Sequence, residues 1–252
     1  MGAPVAPPRA NSAAMHAIRW ALDFLFPPRC PACNRWTERV GLCAACSAAI
    51  APARSPLCPT CGESFPGAGP DHRCSRCFEH PPHYARARAC ALYRSDERSP
   101  LIEALHRFKY GRDVTLAPVL GAFLAERCPL PIDHDLLVPV PLDLERLRWR
   151  GFNQAAMLAR ALATRCDRPV HPMALRRSRH TPPQVGLGVE ERRRNVAGAF
   201  ALRDPVAVRG RTILLIDDVM TTGATVEECA KTLRRGGARR VDVAVLARAA
   251  DV

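Results

Sequence analysis

Along the last two-thirds of the chain, compact apolar runs of strand length alternate with stretches whose apolar positions recur every three or four residues. Tyr84 to Tyr93 reads as a strand. Ser99-Pro100 reads as a helix N-cap with proline at the first helical position, opening a helix toward Lys109. A second helix is predicted over Val114 to Arg127, a strand over Leu136 to Val140, a helix over Asn153 to Arg165 and a strand over Val170 to Leu175. Arg176 to Asn195 reads as a basic, polar loop. Ile213 to Ile216 has no polar interruption, the pattern of a strand buried on both faces. Thr225 to Arg235 is helical, with Val226, Cys229, Ala230 and Leu233 on one face and Gly236-Gly237 as its stop. Val241 to Leu246 returns as a strand. This alternation predicts an α/β fold, a parallel sheet flanked by helices.

The first third has another texture. Residues 1–29 are expected to form a frayed start rich in alanine and proline, followed by a short helix over His16 to Phe26. That helix carries Arg19 and Asp23 and no cleavage site follows it, which argues against a secretory signal. Residues 30–80 hold a cysteine-rich module, and after His80-Pro81-Pro82 the α/β domain is expected over 84–250. No apolar run reaches the roughly 18 residues of a membrane span, so a cytoplasmic protein that does not cross a membrane is expected.

Composition adds two points. The 48% hydrophobic fraction of the 252 residues is enough for a core and excludes wholesale disorder. The formal net charge of +13 favours a polyanionic partner, either nucleic acid or a multiply phosphorylated small molecule. Arginine supplies nearly all of that charge beside abundant alanine and proline, a bias that a GC-rich genome also produces, so charge alone does not choose the partner.

Eight of the twelve cysteines form four Cys-x-x-Cys pairs: Cys30/Cys33, Cys43/Cys46, Cys58/Cys61 and Cys74/Cys77. Each pair is a knuckle that turns two thiolates toward one metal ion, and two knuckles complete a tetrahedral site. Four knuckles suit two zinc ions. Sites closed by four cysteines leave no open coordination position, so the zinc is expected to be structural. Sequential pairing is the default, and an interleaved pairing satisfies the same ligand count. A thioredoxin-like redox role explains one pair and not four. Cys90, Cys128, Cys166 and Cys229 read as small hydrophobes, and His72 and His80 as surface residues.

The segment from Ile213 to Thr225 carries the candidate chemistry. A buried strand ends in Asp217 and Asp218. Then come Thr221, Thr222, Gly223, Ala224 and Thr225, opening a helix. A helix start offers free N–H groups and a positive dipole end to a phosphate, threonines add hydroxyl donors, and glycine lets the backbone come close. The two carboxylates can accept from sugar hydroxyls and suit a magnesium-bearing ligand. This segment resembles the signature of type I phosphoribosyltransferases. The resemblance implies that Thr221 to Thr225 cradle the 5′-phosphate of 5-phosphoribosyl-1-diphosphate while Asp217 and Asp218 hold its ribose diol.

Further segments narrow the resemblance. Phe108-Lys109-Tyr110-Gly111, Val138-Pro139-Val140-Pro141, Arg150-Gly151-Phe152-Asn153-Gln154, Thr181 to Gln184, Glu191-Arg192 and Asn195-Val196 follow in that order behind the knuckles. Together they resemble the ComF/GntX family over roughly residues 20 to 248. The resemblance implies a double zinc ribbon joined to a phosphoribosyltransferase-like domain, with a role in natural transformation and single-stranded DNA handling. Arg150, Asn153 and Gln154 follow a strand end and are candidate diphosphate contacts, because a guanidinium makes paired bonds to such groups. Lys109 and Arg150 are the candidate catalytic residues. Arg176, Arg177, Arg179, Arg192, Arg193 and Arg194 form a basic stretch suited to a DNA backbone or to a loop folding over the ligand. Three functions compete: a phosphoribosyl-diphosphate-binding protein that handles single-stranded DNA, an active transferase to an unidentified nucleobase or amine, and a zinc-ribbon adaptor for a competence-machinery protein.

Overall fold

The computed structural model describes residues 27–94, 98–181 and 188–250. The helix read at His16 to Phe26, and the part of the Thr181 to Gln184 motif beyond Thr181, lie outside them. In chain order the elements are α1 (Ala44–Ala48), α2 (Ser75–Glu79), β1 (Arg86–Tyr93), α3 (Pro100–Tyr110), a 3-10 turn (Val114–Leu116), α4 (Ala117–Arg127), β2 (Leu136–Pro139), α5 (Leu144–Arg150), α6 (Gln154–Cys166), β3 (Leu175–Arg177), α7 (Val189–Val196), β4 (Phe200–Leu202), α8 (Pro205–Val208), β5 (Thr212–Met220), α9 (Ala224–Arg235) and β6 (Arg240–Ala249).

Four strands form a parallel sheet in the order β1-β6-β5-β2. The apolar run at Ile213–Ile216 lies in β5, one of its two inner strands, and explains itself there. Ile213 and Leu215 face one apolar cluster with Val243 and Val245. Leu214 and Ile216 face the other with Leu120, Leu124, Leu158 and Leu162 from α4 and α6. Helices cover that second face, so polar residues have no place in the run.

The knuckle region is built onto the edge of this sheet. Ala87 N–H donates to Thr60 O at 2.7 Å and Leu92 N–H to Ala51 O at 3.2 Å, so ribbon backbone occupies the edge that β1 would leave unpaired. Gly62 sits where the two meet. Its φ is +71°, and a Cβ there would lie 2.7 Å from Ala87 O, so only glycine fits the approach.

Several expectations change. Val170 to Leu175 is not a strand. Val170 makes a single bridge to Leu137, Pro172 brings no N–H to continue it, and the chain pairs only from Leu175, antiparallel to β4. The Arg176 to Asn195 stretch is not all loop. Arg176 and Arg177 belong to β3, and α7 forms without an apolar stripe. Glu190 and Glu191 in its first turn and Arg193 and Arg194 in its last complement the helix dipole, and Glu191 accepts from Gly188 N–H at 2.8 Å. Finally, β5 does not end at the carboxylates. It pairs with β6 as far as Met220, with Asp217 and Asp218 inside it.

Candidate functional site

A cleft of about 300 Å³ opens at the carboxyl ends of the neighbouring parallel strands β2 and β5, the place where ligands settle in open α/β sheets. Asp217 and Asp218 form its floor, both buried. Around them the cleft is lined by five cationic side chains: Lys109 from α3, Arg146 and Arg150 from α5, Arg177 from β3 and Arg192 from α7. The balance strongly favours an anion.

The two carboxyls have different environments. Burial, with the Asp218 charge beside it, pushes the Asp217 carboxyl well above the usual carboxylate range. Burial acts the same way on Asp218, but an ion pair with Lys109 outweighs it and holds that carboxyl below its ordinary value. Burial also opposes the charge of Lys109, and the same pair outweighs it, so the ammonium is held above its ordinary value. The Asp218 N–H donates to Asp217 Oδ1 at 2.9 Å, which fixes the floor against the backbone.

Arg150 ends α5 and Gly151 caps it at φ +89°. The Arg150 side chain is buried, donates to Gln154 Oε1 at 2.6 Å, and among the described residues gives its Nε no partner. A buried guanidinium with a free N–H at a cleft is poised for an anionic ligand. Gln154 lines the cleft beside it. Asn153 does not. Its Oδ1 accepts from Ala155 and Ala156 N–H at the start of α6, and its Nδ2 donates to Val140 O at 3.0 Å. That side chain ties α6 to the end of β2.

The loop before α9 is shared between two cavities. Thr221 and Thr225 face the cleft. Thr222, Gly223 and Ala224 line a neighbouring cavity of about 460 Å³ with Arg76, Cys77 and Tyr84. Gly223 takes φ +79° at the N-cap of α9, and Thr222 Oγ1 accepts from Ala224 N–H at 3.3 Å. The Thr222 carbonyl accepts from Arg76 at 3.2 Å, which links the cysteine-rich region to the loop.

The eight knuckle cysteines gather sequentially. Cys30, Cys33, Cys43 and Cys46 form one group and Cys58, Cys61, Cys74 and Cys77 the other, with sulfurs all within 4.8 Å of one another. Backbone N–H groups aim at the sulfurs, as from Cys61 and Cys74 to Cys58 Sγ at 3.5 Å. Burial alone would raise the Cys58 thiol, yet these bonds bring it to about 7, and the same balance brings Cys30 to about 6. Burial and the neighbouring sulfurs hold Cys46, Cys74 and Cys77 above the ordinary thiol range. One sulfur in each group thus favours the thiolate unaided, and a tetrahedral zinc ion, which when bound fixes the knuckles, would supply the charge the others need. The two groups support two structural zinc ions.

Comparison with known proteins agrees with both parts. The double zinc ribbon domain family matches residues 21–91, and the phosphoribosyl transferase domain family matches residues 152–251. The DNA utilization protein YhgH of Salmonella typhi is 36% identical over 217 residues, covering 82% of this chain and 90% of that relative. Competence protein F of Haemophilus influenzae is 33% identical over 233 residues, covering 88% and 97%. Competence protein ComFC of Bacillus subtilis is 30% identical over 192 residues, covering 66% and 73%. The chain belongs to the ComF/GntX family.

In this ComF/GntX chain the matched transferase region begins after β2, Lys109 and Arg150, so two walls of the cleft lie upstream of it. Sequence reasoning named Lys109, Arg150, Gln154, Asp217, Asp218, Thr221 and Thr225, and the fold brings these together. It left Arg146 and Tyr110 outside the proposed site. A signal for Arg146 was present: Asp143 caps a short helix, accepting from Glu145 N–H at 3.1 Å, and Gly151 stops it, so Arg146 and Arg150 lie four apart on one face. Among the described residues no helix is long and apolar enough to cross a membrane.

Proposed function

We propose that this chain binds 5-phosphoribosyl-1-diphosphate with magnesium in the cleft at the ends of β2 and β5, and serves DNA uptake by handling single-stranded DNA. The observation that carries the reading is the pairing of one buried carboxylate floor with five surrounding cations at a strand end and helix start. The carboxylates suit a sugar diol, and the arginines suit a diphosphate. Magnesium would arrive on the diphosphate, and the oxygen donors of Asp217 and Asp218 are of the kind it accepts. Thr221 and Thr225 then face the 5′-phosphate from the start of α9, where the helix dipole favours negative charge. Lys109 and Arg150 are placed to neutralise the diphosphate, Lys109 by leaving Asp218 as the ribose takes its place. The DNA role rests on the names of the relatives, competence protein F and DNA utilization protein, and on the charge of +13.

Calorimetric titration of the zinc-loaded chain with phosphoribosyl diphosphate and magnesium, with and without single-stranded DNA, tests both halves. Binding that changes when DNA is present supports a coupled site, and no binding under either condition removes the ligand reading. Asp217→Asn is the cleaner site variant. Its carboxyl already resists ionisation, so the amide should leave folding intact while abolishing ligand binding. Asp218→Asn would instead leave the half-buried Lys109 ammonium without its partner, a change expected to cost about 3 kcal/mol of stability. An Asp217→Asn chain that binds like the parent would remove the diol assignment.

A further inference from the structure

Two exposed aromatic rings stand at the rim of the cleft. Tyr110 is 59% exposed and Trp149 54% exposed, and their centroids lie 6.2 Å apart with the rings tilted by 56°. They come from different helices, Tyr110 from the end of α3 and Trp149 from the last turn of α5. Each is the immediate chain neighbour of a cleft cation, Lys109 in one case and Arg150 in the other. Guanidiniums attend both rings. Arg112 lies 5.2 Å from the Trp149 centroid and donates to the Trp149 carbonyl, and Arg150 lies 5.6 Å from the Tyr110 centroid. Arg112 holds this place with φ +53°, a left-handed conformation that a non-glycine residue adopts at a cost.

Aromatic side chains this exposed lose the burial that ordinarily keeps them inside. A protein partner would call for an apolar groove, whereas these rings are bordered by arginines. Nearby acids do not cancel that border: Asp113 is paired with Arg107, and Glu145 lies toward His180. Ring faces set among cations match the chemistry of an unpaired nucleobase with its phosphates, since a base stacks on the ring while guanidiniums take the backbone. Duplex DNA keeps its base faces stacked on one another and offers none to such a surface.

We infer that Tyr110 and Trp149, flanked by Arg112, form a base-stacking platform for single-stranded nucleic acid at the mouth of the phosphate cleft. The inference rests on the single-strand reading above and gives it a location. A strand lying on the platform would approach the residues that hold the small-molecule ligand, so the two ligands would meet along the Lys109-Tyr110 and Trp149-Arg150 segments.

The test uses the full, zinc-loaded chain and fluorescence anisotropy with a short labelled oligodeoxythymidine and an abasic oligomer of the same length. Trp149→Leu keeps apolar bulk and removes the aromatic face, and Trp149→Phe restores a face. Trp149→Leu should weaken oligodeoxythymidine binding about ten-fold, leave the abasic oligomer unchanged, and leave the slope against salt unchanged, with Trp149→Phe recovering most of the loss. Melting temperature and zinc content of each variant report whether the fold is kept, and Tyr110→Leu provides an independent variant on the other helix. If the parent chain binds oligodeoxythymidine and neither leucine variant weakens it, the platform is refuted while the single-strand reading stands. If both oligomers lose affinity equally, the rings serve structure and not stacking. If the parent chain binds no single strand, the reading beneath the inference fails and takes the platform with it.

Discussion

The two four-cysteine clusters have the same ligands and the same knuckle spacing, yet they sit in opposite settings. In the first, Cys33 is exposed, Cys43 and Cys46 are half-buried, and α1, which carries Cys46, buries no residue. In the second, all four cysteines are buried and belong to the same apolar cluster as Ala87, Ala89, Val243 and Val245 of the sheet. Arg248, buried at the end of β6, donates to Cys61 O at 3.0 Å, and Arg76 reaches from α2 to the Thr222 carbonyl. The difference teaches that the reach of a structural metal is set by what its ligands pack against. The first cluster organises its own knuckles. The second organises the edge of the sheet and touches the loop before α9.

The largest expected effect follows from breaking the second cluster. Cys58→Ser should release one zinc of two and destabilise the sheet itself, by roughly 3 kcal/mol or more, because metal binding energy is folding energy and these ligands are core residues. Zinc content and thermal unfolding followed by circular dichroism check it. If the sheet melts at the parent temperature, the second cluster is as detached as the first and the comparison collapses. Next in size is Gly62→Ala. The positive φ and the 2.7 Å approach to Ala87 O both oppose a Cβ, so a loss of about 2 kcal/mol is expected with both zinc ions retained. That result would separate docking of the ribbon from metal binding.

Some of this was legible from residues alone and some was not. The knuckles and the Asp217 to Thr225 segment were readable because each is local: spacing fixes the turn, and a short stretch of chain carries the donors. The run at Ile213 to Ile216 announced a strand because both of its faces are covered. The cationic walls of the cleft were less legible because they come from four separate elements, α3, α5, β3 and α7, whose meeting depends on the tertiary fold. Arg146 was lost with α5, a seven-residue helix too short for apolar periodicity to stand out. Asn153 illustrates the reverse. It stands beside Gln154 and Arg150 in the chain, but an N-cap claims its side chain, and adjacency in sequence gave no sign of that. The division of Thr221 to Thr225 between two cavities depends on Gly223 turning the chain and on Arg76 arriving from far upstream.

Arg76→Ala sharpens the comparison at lower cost to the fold. Arg76 donates to Thr222 O at 3.2 Å and pairs with Glu63 at 3.4 Å, and its side chain is about a quarter exposed. Losing it should change the melting temperature little and weaken phosphoribosyl diphosphate binding roughly three- to ten-fold, since one hydrogen bond to a charged donor orients the loop. Calorimetric titration measures it, and an unchanged affinity would show that the contact orients nothing.

The smallest expected effect on the sheet comes from Cys33→Ser. The exposed thiolate is needed by its own zinc, so zinc content should fall by one ion as completely as in Cys58→Ser. The energetic consequence should stay local. α1 buries nothing, and the Cys30, Cys33, Cys43 and Cys46 cluster shares only Cys30 among its fully buried residues. Local opening of so lightly packed a segment can occur without global unfolding. The sheet should therefore keep its melting transition within about 1 kcal/mol of the parent, and ligand binding should be unchanged. Equal zinc loss with unequal consequences is the signature that the setting of a metal site, and not its ligand set, decides what it stabilises. Hydrogen exchange of the β1 and β6 amides in the two cysteine variants would read that inequality strand by strand, with protection lost in Cys58→Ser and kept in Cys33→Ser.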